Sequence, residues 1–467
     1  MFHIVYLLKF NLRNVCCDCI FTLAVYYSGN LLFGRNSIVG IYEVDPFCSV
    51  KIKNQLNGLY RIMAETDRVV QLLNDLGQQH IYESFSDFSP SHPIYKQVAS
   101  LNLERSLEHF KSANSAESNK SGDKFQPVSK VVNLQNIPVS KLDEFSQVGM
   151  EAIRAGTVAA VIMSGGQGTR LGYSGPKGMF NLGMPSQKTI FQLHMEKILK
   201  MKQLSNAVSV PVYIMTSHLN HDIIMNAFHD NNYFNYPKED IIFFEQGIEP
   251  SFTLDGKIII ESKETLSLAP DGNGGIYRAL LYSGCIDNMK SRNIQHLHIY
   301  GIDNVLTKSI DPLFIGICIN NHVECGNKVV WRKYPTERVG VTAECNQHMH
   351  ILEYSELPID LADSIDQDTN KLIYGAANIC NHYLNFEFLS NIILPSLSEI
   401  YHIAKKKIPY LDLNTNCTIQ PEVINGVKLE MFVFDVFPLA REWVVVEGLR
   451  EDEFAPVKNA PGDKQVE

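Results

Sequence analysis

Two absences narrow what this chain can do. It has no excess of basic residues: 41 lysines and arginines stand against 51 aspartates and glutamates, which gives a net charge of −10 over 467 residues. This balance disfavours nucleic acid or an anionic membrane as the main partner, so any anion site must be local. The ten cysteines have no regular spacing, which argues for reduced thiols in a cytoplasmic protein and against a disulfide framework.

Residues 1–55 lack the features of a targeting segment. They are rich in Phe, Tyr, Leu, Val and Cys, but polar residues interrupt every apolar window long enough to span a membrane. The stretch 20–27 is a marginal match to a signal peptide, and the cysteines at 16, 17 and 19 lack the second ligand pair of a zinc site. We therefore expect an atypical, poorly ordered leader and no membrane partner. The interrupting residues are Lys9, Arg13, Asp18 and Asn30.

The most informative segment is residues 161–178, which read V-I-M-S-G-G-Q-G-T-R-L-G-Y-S-G-P-K-G. An apolar strand leads there into a loop with six glycines and two cations, Arg170 and Lys177. Because glycine lacks a Cβ atom, successive backbone N–H groups can close around an anion, while the two cations offset the charge of a polyphosphate. The loop predicts a nucleotide or sugar-phosphate site, with a glycine-rich structural turn as the alternative.

Two commoner glycine loops fit this segment less well. A Walker loop requires Gly-Lys-Ser/Thr, which does not follow here. A dinucleotide-binding fingerprint is closer, because Gly166, Gly168 and Gly172 follow a strand, but Gly175 and Pro176 prevent a helix from starting directly after the turn.

Beyond residue 156, short β-branched runs alternate with helical stretches. This rhythm predicts an α/β fold with a mainly parallel sheet covered on both faces, and a site at the carboxyl ends of the strands. A helix is expected at about 189–201. The expected strands are 158–163, 211–216, 241–245, 296–302, 328–331 and 351–353.

The segment before this domain has a different pattern. Apolar residues recur at helical spacing over 65–110, which predicts a helical arm, and the Ser-, Asn- and Lys-rich stretch 111–124 predicts a flexible loop. We therefore place the arm at 56–145 and the catalytic domain at 146–450.

Asp303, which follows a predicted strand, is a candidate metal ligand. A carboxylate that faces a triphosphate at a strand end is what Mg²⁺ needs, although a strand-end Asp-Asn pair also commonly caps a turn. The histidine pairs 296/298 and 348/350 have a spacing that could ligate metal on a strand face. No other ligand chemistry lies nearby in the sequence, so we expect these histidines to be structural.

Several segments together resemble the eukaryotic UDP-N-acetylhexosamine pyrophosphorylases, whose loop is G-G-Q-G-T-R-L-G followed by P-K-G-M. Both parts are present, at 165–172 and 176–179. The resemblance covers about residues 65 to 460 and is most specific from 158 onward. The further matching segments, in the family's order, are 245–247, 269–275, 303–304, 353–356, 378–382, 432–435 and 449–454.

The resemblance implies a Rossmann-like nucleotidyltransferase domain that uses Mg²⁺ to join UTP and N-acetylglucosamine 1-phosphate, giving UDP-N-acetylglucosamine and pyrophosphate. Its implied catalytic residues are Arg170, Lys177 and Lys458, which hold phosphates, and Asp303, which holds the metal. The implied substrate-binding residues are Ser164, Gly165, Gly166, Gln167, Gln246, Gly272, Asn273, Glu353, Tyr354, Asn378, Lys428, Phe432 and Phe434.

Within this set the resemblance assigns different parts of the substrates. Gln246 and Gly272 correspond to uridine contacts and Asn273 to a contact with the sugar phosphate, while the positions around Glu353 and Phe432 surround the amino sugar. Without the resemblance, the run 269–275 is interpreted as a plain turn before a helix. The Phe-Val-Phe segment is then a half-buried strand, and Glu353, Lys428 and Lys458 are solvated surface residues.

Two alternatives remain open. UDP-glucose pyrophosphorylases are similar, but that family has Leu where Gln167 stands. The chain stops at Glu467, whereas the family continues with a small β-rich domain, so we expect 451–467 to be the start of a mostly missing carboxyl-terminal domain. A non-catalytic protein that binds UTP or a UDP-sugar is therefore the alternative from another class, and at most weak homo-oligomerisation is expected.

Overall fold

The computed structural model describes residues 65–118, 124–397 and 400–460, together with the backbone of two earlier strands. The chain divides into two compact units, residues 1–101 and 102–467. Among the described residues, no helix has both the length and the apolar character that a bilayer span requires.

The described residues of the first unit form a strand pair and three helices. Strands β1 (Val5–Asn11) and β2 (Ile20–Tyr26) pair antiparallel, which the sequence did not predict. The rest of the leader, with the cysteines at 16, 17 and 19, lies outside the described residues, so its predicted lack of order stays a prediction. The helices are α1 (residues 65–75), α2 (His80–Glu83) and α3 (Pro93–Ser100), which confirm the helical character of this part of the arm.

The second unit opens with helix α4 (Leu103–Ser118). The predicted loop 111–124 is therefore wrong for residues 111–118, and residues 119–123 lie outside the described part. Leu103, Leu107, Phe110 and Ala113 are buried at helical spacing. The polar residues between them form the exposed face of an amphipathic helix, so their composition resembles that of a loop although the periodicity does not.

The remaining elements alternate as the sequence predicted. The helices are α5 (Val139–Arg154), α6 (Ile190–Ser205), α7 (His221–Asp230), α8 (Ile276–Tyr282), α9 (Cys285–Ser291), α10 (Pro312–Asn320), α11 (Ile359–Ala362), α12 (Phe386–Phe388) and α13 (Arg450–Glu453). The strands are β3 (Gln126–Pro127), β4 (Val131–Asn133), β5 (Val158–Met163), β6 (Val212–Thr216), β7 (Ile241–Glu245), β8 (Ile248–Pro250), β9 (Phe252–Thr253), β10 (Leu268–Pro270), β11 (His296–Gly301), β12 (Cys325–Trp331), β13 (Val341–Cys345), β14 (His348–Leu352), β15 (Ala376–Asn385), β16 (His402–Lys406), β17 (Tyr410–Asp412), β18 (Cys417–Ile419), β19 (Gly426–Glu430) and β20 (Trp443–Glu447).

The main sheet has the order β4-β20-β12-β15-β11-β5-β6-β7. Along this path the pairs are parallel except where β15 lies antiparallel between β12 and β11. Strands β13, β14 and β3 join the same sheet off this path through antiparallel pairs. All six residues of β5 are buried, because two apolar clusters cover the two faces of the sheet. The predicted α/β fold with a mainly parallel sheet is confirmed.

The second unit also contains a smaller antiparallel sheet with the order β16-β19-β9. Its central strand carries Lys428 and leads directly into the Phe-Val-Phe segment. The parallel strands β5, β6 and β11 end at Met163, Thr216 and Gly301, so the glycine loop, the segment after β6 and Asp303 all follow carboxyl ends of neighbouring strands.

Candidate functional site

The glycine loop is fixed at both ends by hydrogen bonds. Ser164, the first residue after β5, donates from its backbone N–H and its hydroxyl to the carbonyl oxygen of Met215, over 2.9 and 2.7 Å. Further along, the N–H of Gly168 donates to the oxygen of Gly175 over 2.9 Å. Gly172 has a φ of +71°, a left-handed conformation that glycine adopts without strain. The loop is therefore a preformed turn, with Gly166 exposed to solvent.

The first predicted uridine contact lies directly against this loop. A Cβ atom on Gly165 would stand only 2.7 Å from Oε1 of Gln246, so the glycine makes room for the glutamine side chain. Gln246 is buried, and its backbone N–H donates to the oxygen of Thr216 over 2.9 Å. The fold thus brings together two predicted binding residues that are 81 positions apart in the sequence (246 − 165).

Two lysines from distant parts of the chain meet at one carboxylate. The Nζ atoms of Lys177 and Lys458 each lie 3.9 Å from Oδ2 of Asp303. Burial lowers the pKa of Lys177, Asp303 acts in the opposite direction, and Lys458 and Arg170 lower it further. Three cations therefore act on each other around a single anion, which leaves positive charge for a polyphosphate.

Lys458 reaches this position because its segment is paired with the loop residues. The N–H of Val457 donates to the oxygen of Asp303, and the N–H of Ala460 donates to the oxygen of Arg170, both over 2.9 Å. The side chain of Arg170 itself is exposed.

The second glycine run is fastened to the segment after β19. Gly272 has a φ of +92°, and a Cβ atom there would lie 2.4 Å from the oxygen of Met431. The N–H of Met431 donates to the oxygen of Asp271 over 2.8 Å, and Oδ1 of Asn273 accepts the N–H of Val433 over 3.0 Å. The side-chain oxygen of Asn273 is thus occupied by a hydrogen bond within the protein, and its NH₂ group is the part that can donate to a ligand.

Asp271 is a buried carboxylate that sequence reasoning noted but did not assign to the site. Its carboxylate lies so close to Gly247 and Gly275 that a Cβ atom on either would stand within 2.4 Å of it. Burial raises its pKa to about 7, with a further contribution from Glu249. Because the N–H of Asp271 also donates to the oxygen of Gly247, this residue joins the Gln246 turn to the second glycine run.

An aromatic stack lies next to this run. The rings of Phe432 and Phe434 are 5.0 Å apart and nearly parallel, and the ring of His402 lies 4.6 Å from Phe432. His402 Nε2 is 2.9 Å from Oδ1 of Asp435, whose Oδ2 accepts the N–H of Phe432 over 2.7 Å. Sequence reasoning missed His402, which belongs to no glycine motif and is recognisable only from its partners in space.

Glu353 connects the aromatic stack with the cation cluster electrostatically. Burial and then Glu356 raise its pKa, whereas Lys458 and His402 lower it. Lys458, at Asp303, and His402, in the aromatic stack, therefore both lie within electrostatic reach of this half-buried carboxylate.

Strand β15 bulges against β12 between Asn378 and His382, so Asn378 lies at one end of the bulge. Its Oδ1 accepts the N–H of Cys380 over 3.1 Å, and Cys380 has a φ of +55°. Burial raises the pKa of the Cys380 thiol to about 12, and the nearby Asp303 adds to the shift. The bulge thus brings Cys380, which sequence reasoning also missed as a site residue, close to Asp303.

Two predicted residues stand apart from this arrangement. Tyr354 is half exposed, and Lys428 lies in β19 opposite Ala404 of β16. Within residues 65–118, 124–397 and 400–460, no hydrogen bond or ion pair joins either side chain to the other predicted site residues. Their substrate contacts stay predictions.

The histidine pairs make hydrogen bonds inside the fold. His298 accepts the N–H of Ile310 at Nδ1 over 3.0 Å, and its Nε2 lies 2.6 Å from Oδ1 of Asn381. His296 bonds the hydroxyl of Tyr383, and His348 the oxygen of Ala440. In the described residues no three His, Cys, Asp or Glu side chains are grouped to hold a metal by themselves.

Residues 103–462 match the family described as UTP--glucose-1-phosphate uridylyltransferase. The chain belongs to this family. It is 38% identical over 402 residues to UDP-N-acetylhexosamine pyrophosphorylase-like protein 1 of Xenopus tropicalis, covering 82% of this chain and 78% of that protein. It is 41% identical over 331 residues to UDP-N-acetylglucosamine pyrophosphorylase of Saccharomyces cerevisiae, covering 69% of each.

A solved structure supports the fold. The uridine diphosphate N-acetylglucosamine pyrophosphorylase from Trypanosoma brucei, solved in complex with an inhibitor, superposes with a TM-score of 0.73 at 26% identity. The match covers 85% of this chain and 82% of that chain. The resemblance inferred from the glycine loop and the later segments is confirmed.

Proposed function

We propose that this chain transfers the uridylyl group of UTP to N-acetylglucosamine 1-phosphate and releases pyrophosphate. The observation that carries the proposal is the meeting of Lys177 and Lys458 at Asp303, directly after the carboxyl end of β11 and beside the glycine loop. Relatives named for N-acetylglucosamine pyrophosphorylase share up to 41% of aligned residues with the chain, which favours the N-acetylated sugar over glucose.

The reaction requires no protein nucleophile, because a sugar phosphate is already an anion at neutral pH. One of its phosphate oxygens attacks the α-phosphorus of UTP in line, the new oxygen–phosphorus bond forms, and the bond to the bridging oxygen of the leaving pyrophosphate breaks. The protein must position two anions that repel each other and stabilise charge on the leaving group. The proposal assigns Arg170 and Lys177 to the β- and γ-phosphates, and it assigns Lys458, whose Nζ lies 3.9 Å from Oδ2 of Asp303, to closing the site from the carboxyl-terminal segment.

The sugar moiety fits the other half of the site. The half-buried carboxylate of Glu353 can accept hydrogen bonds from sugar hydroxyls, and the stacked rings of Phe432 and Phe434, next to His402, offer an apolar wall. Asn273 presents its NH₂ group next to that wall. The proposal assigns the amino sugar to this region and the uridine to Gln246 and Gly272.

Mg²⁺ fits Asp303 as an ion that arrives with the nucleotide. Mg²⁺ is typically bound through one or two carboxylates plus phosphates and water, and a single aspartate beside a polyphosphate site supplies the protein's share. Bound there, the ion would neutralise charge on the triphosphate.

The test is pyrophosphate release by the purified chain with UTP, Mg²⁺ and, in parallel, the 1-phosphates of N-acetylglucosamine, N-acetylgalactosamine and glucose. Release with the N-acetylated sugars supports the proposal, and release with glucose 1-phosphate alone contradicts the sugar assignment. A folded chain that binds UTP in calorimetry without releasing pyrophosphate would instead be the non-catalytic binding protein. The cytoplasmic location and weak self-association stay predictions.

A further inference from the structure

A buried group of charges includes Glu453, which precedes Lys458 in the chain. Lys328, on β12, is 1% exposed, and its Nζ lies 2.5 Å from Oδ2 of Asp311 and 2.8 Å from Oε1 of Glu453. Burial acts to lower the pKa of Lys328, but the two carboxylates more than offset it, so its pKa lies above the ordinary value. The lysine therefore stays charged and holds two carboxylates from different parts of the chain.

This group joins three elements of the fold. Asp311 caps α10, because its Oδ1 accepts the N–H of Leu313 over 3.1 Å, while its Oδ2 faces Lys328. Glu453 is the last residue of the single-turn helix α13. A Cβ atom on Gly448 would lie 2.7 Å from the Cγ of Glu453, so the chain is also shaped to admit this side chain.

Stability alone is a poor reason for such an arrangement. Taking charges out of water costs free energy that their mutual attraction repays only with good geometry, and a buried ion pair is weak evidence of stabilisation. Within the described residues Oε2 of Glu453 has no hydrogen-bond partner, so the group tolerates an additional unfavourable term. Fixing a position is the better-supported role.

The position that it fixes is that of the segment which carries Lys458. From Glu453 onward this segment is paired with the residues after β11. Asn304 donates from Nδ2 to the oxygen of Glu453 over 2.7 Å and accepts the N–H of Ala455 at Oδ1 over 2.9 Å. The N–H of Val457 then donates to Asp303, the residue that Lys458 faces.

We propose that Glu453 is a positioning residue for the reaction: through Lys328 it anchors residues 454–460 and so places Lys458 against Asp303. The structural part of this proposal is independent of the proposed function, and only its effect on turnover rests on that function. The side chain of Lys458 is 48% exposed and lies on a short segment. In this proposal the charge of Glu453 holds that segment, and therefore Lys458, beside the site.

The test compares Glu453→Gln with Glu451→Gln, the same substitution at an exposed position of the same helix. Hydrogen–deuterium exchange of peptides covering 454–460 reports the anchoring without any need for activity. We expect exchange to quicken about tenfold in Glu453→Gln, because the buried charged partner of Lys328 is lost, and to be unchanged in Glu451→Gln. Unchanged exchange in a folded Glu453→Gln variant would overturn the proposal.

Turnover gives the second readout. Glu453→Gln should lower kcat by roughly tenfold with the KM for UTP little changed, since misplacement of a charged group acts mainly in the transition state. In the Lys458→Ala background the same substitution should add little, because its effect passes through Lys458. Full additivity of the two losses would contradict the positioning role. If the wild-type chain shows no turnover, the proposed function fails, while the exchange comparison still decides this inference.

If Glu453→Gln does not fold, Glu453→Asp tests the same anchor with the charge retained. This change shortens the side chain by a methylene group and so withdraws its carboxylate from Nζ of Lys328, which lies 2.8 Å from Oε1 of Glu453. Faster exchange of 454–460 in that variant supports the anchoring of this segment through Lys328. Exchange like that of the wild type would contradict it.

Discussion

The two lysines at Asp303 illustrate two ways to hold a charged group. Lys177 belongs to a loop that hydrogen-bonds to itself, since its N–H donates to Gly166 within the same 18-residue motif. Lys458 depends on partners more than 100 positions away, at Asn304, Asp303 and Arg170. A local site of the first kind leaves a readable sequence signature, whereas the second kind is visible only once the chain is folded.

The largest expected effect is on turnover, and it should differ between variants of these two lysines. The side chain of Lys177 is 14% exposed and that of Lys458 48% exposed, so water and salt screen the second charge more. We expect Lys177→Ala to lower kcat by about 10²-fold or more and Lys458→Ala by about 10-fold. Pyrophosphate release under saturating substrates measures both losses.

The control for this comparison is Lys188→Ala, which removes a lysine paired with Glu196 outside the cation cluster. Its turnover should stay near that of the wild type. Equal losses for the Lys177 and Lys458 variants would show that burial does not rank the two lysines, and near-normal turnover of Lys177→Ala would remove its assignment.

What the sequence could predict follows the same division. The strands β5, β6, β7, β11, β12 and β14 and the glycine loop rest on local periodicity and local glycine patterns, and these were predicted, whereas β15 and β20 of the main sheet were not. His402 and Glu453 could not be found in this way, because one stacks on a ring 30 positions away (432 − 402) and the other pairs with a lysine 125 positions away (453 − 328). Composition also misled at 111–118, where buried Ala113 continues a helix among polar neighbours.

A smaller effect, on the pH dependence of stability, is expected from Asp271, which joins the Gln246 turn to the second glycine run. Its folded-state pKa of about 7 lies above its ordinary value of 3.8, so the folded chain binds more protons than the unfolded chain between these values. This group's contribution to the free energy of unfolding is therefore greatest below about pH 4 and decreases as pH rises towards 7.

Asp271→Asn keeps the shape but cannot ionise. Relative to the wild type, its free energy of unfolding should be higher at pH 8 than at pH 5, as measured by urea denaturation of both proteins in the same buffers. Taking the difference between the two proteins at each pH cancels the titration of the buried histidines, whose lowered pKa values act in the opposite direction. A difference that does not vary with pH would mean that Asp271 does not titrate in this range.

The smallest effect should come from His402, which the local signature did not reveal. His402→Gln removes the ring that packs 4.6 Å from Phe432 and its bond to Asp435, but it leaves the cation cluster at Asp303 in place. We expect the KM for the sugar 1-phosphate to rise about 3- to 10-fold with the KM for UTP unchanged, since one aromatic contact contributes roughly 0.5–1.5 kcal/mol. His229→Gln, at an exposed position of α7, is the matched control. A rise in the KM for UTP instead would place His402 on the nucleotide side and would contradict the division of the site into a phosphate half and a sugar half.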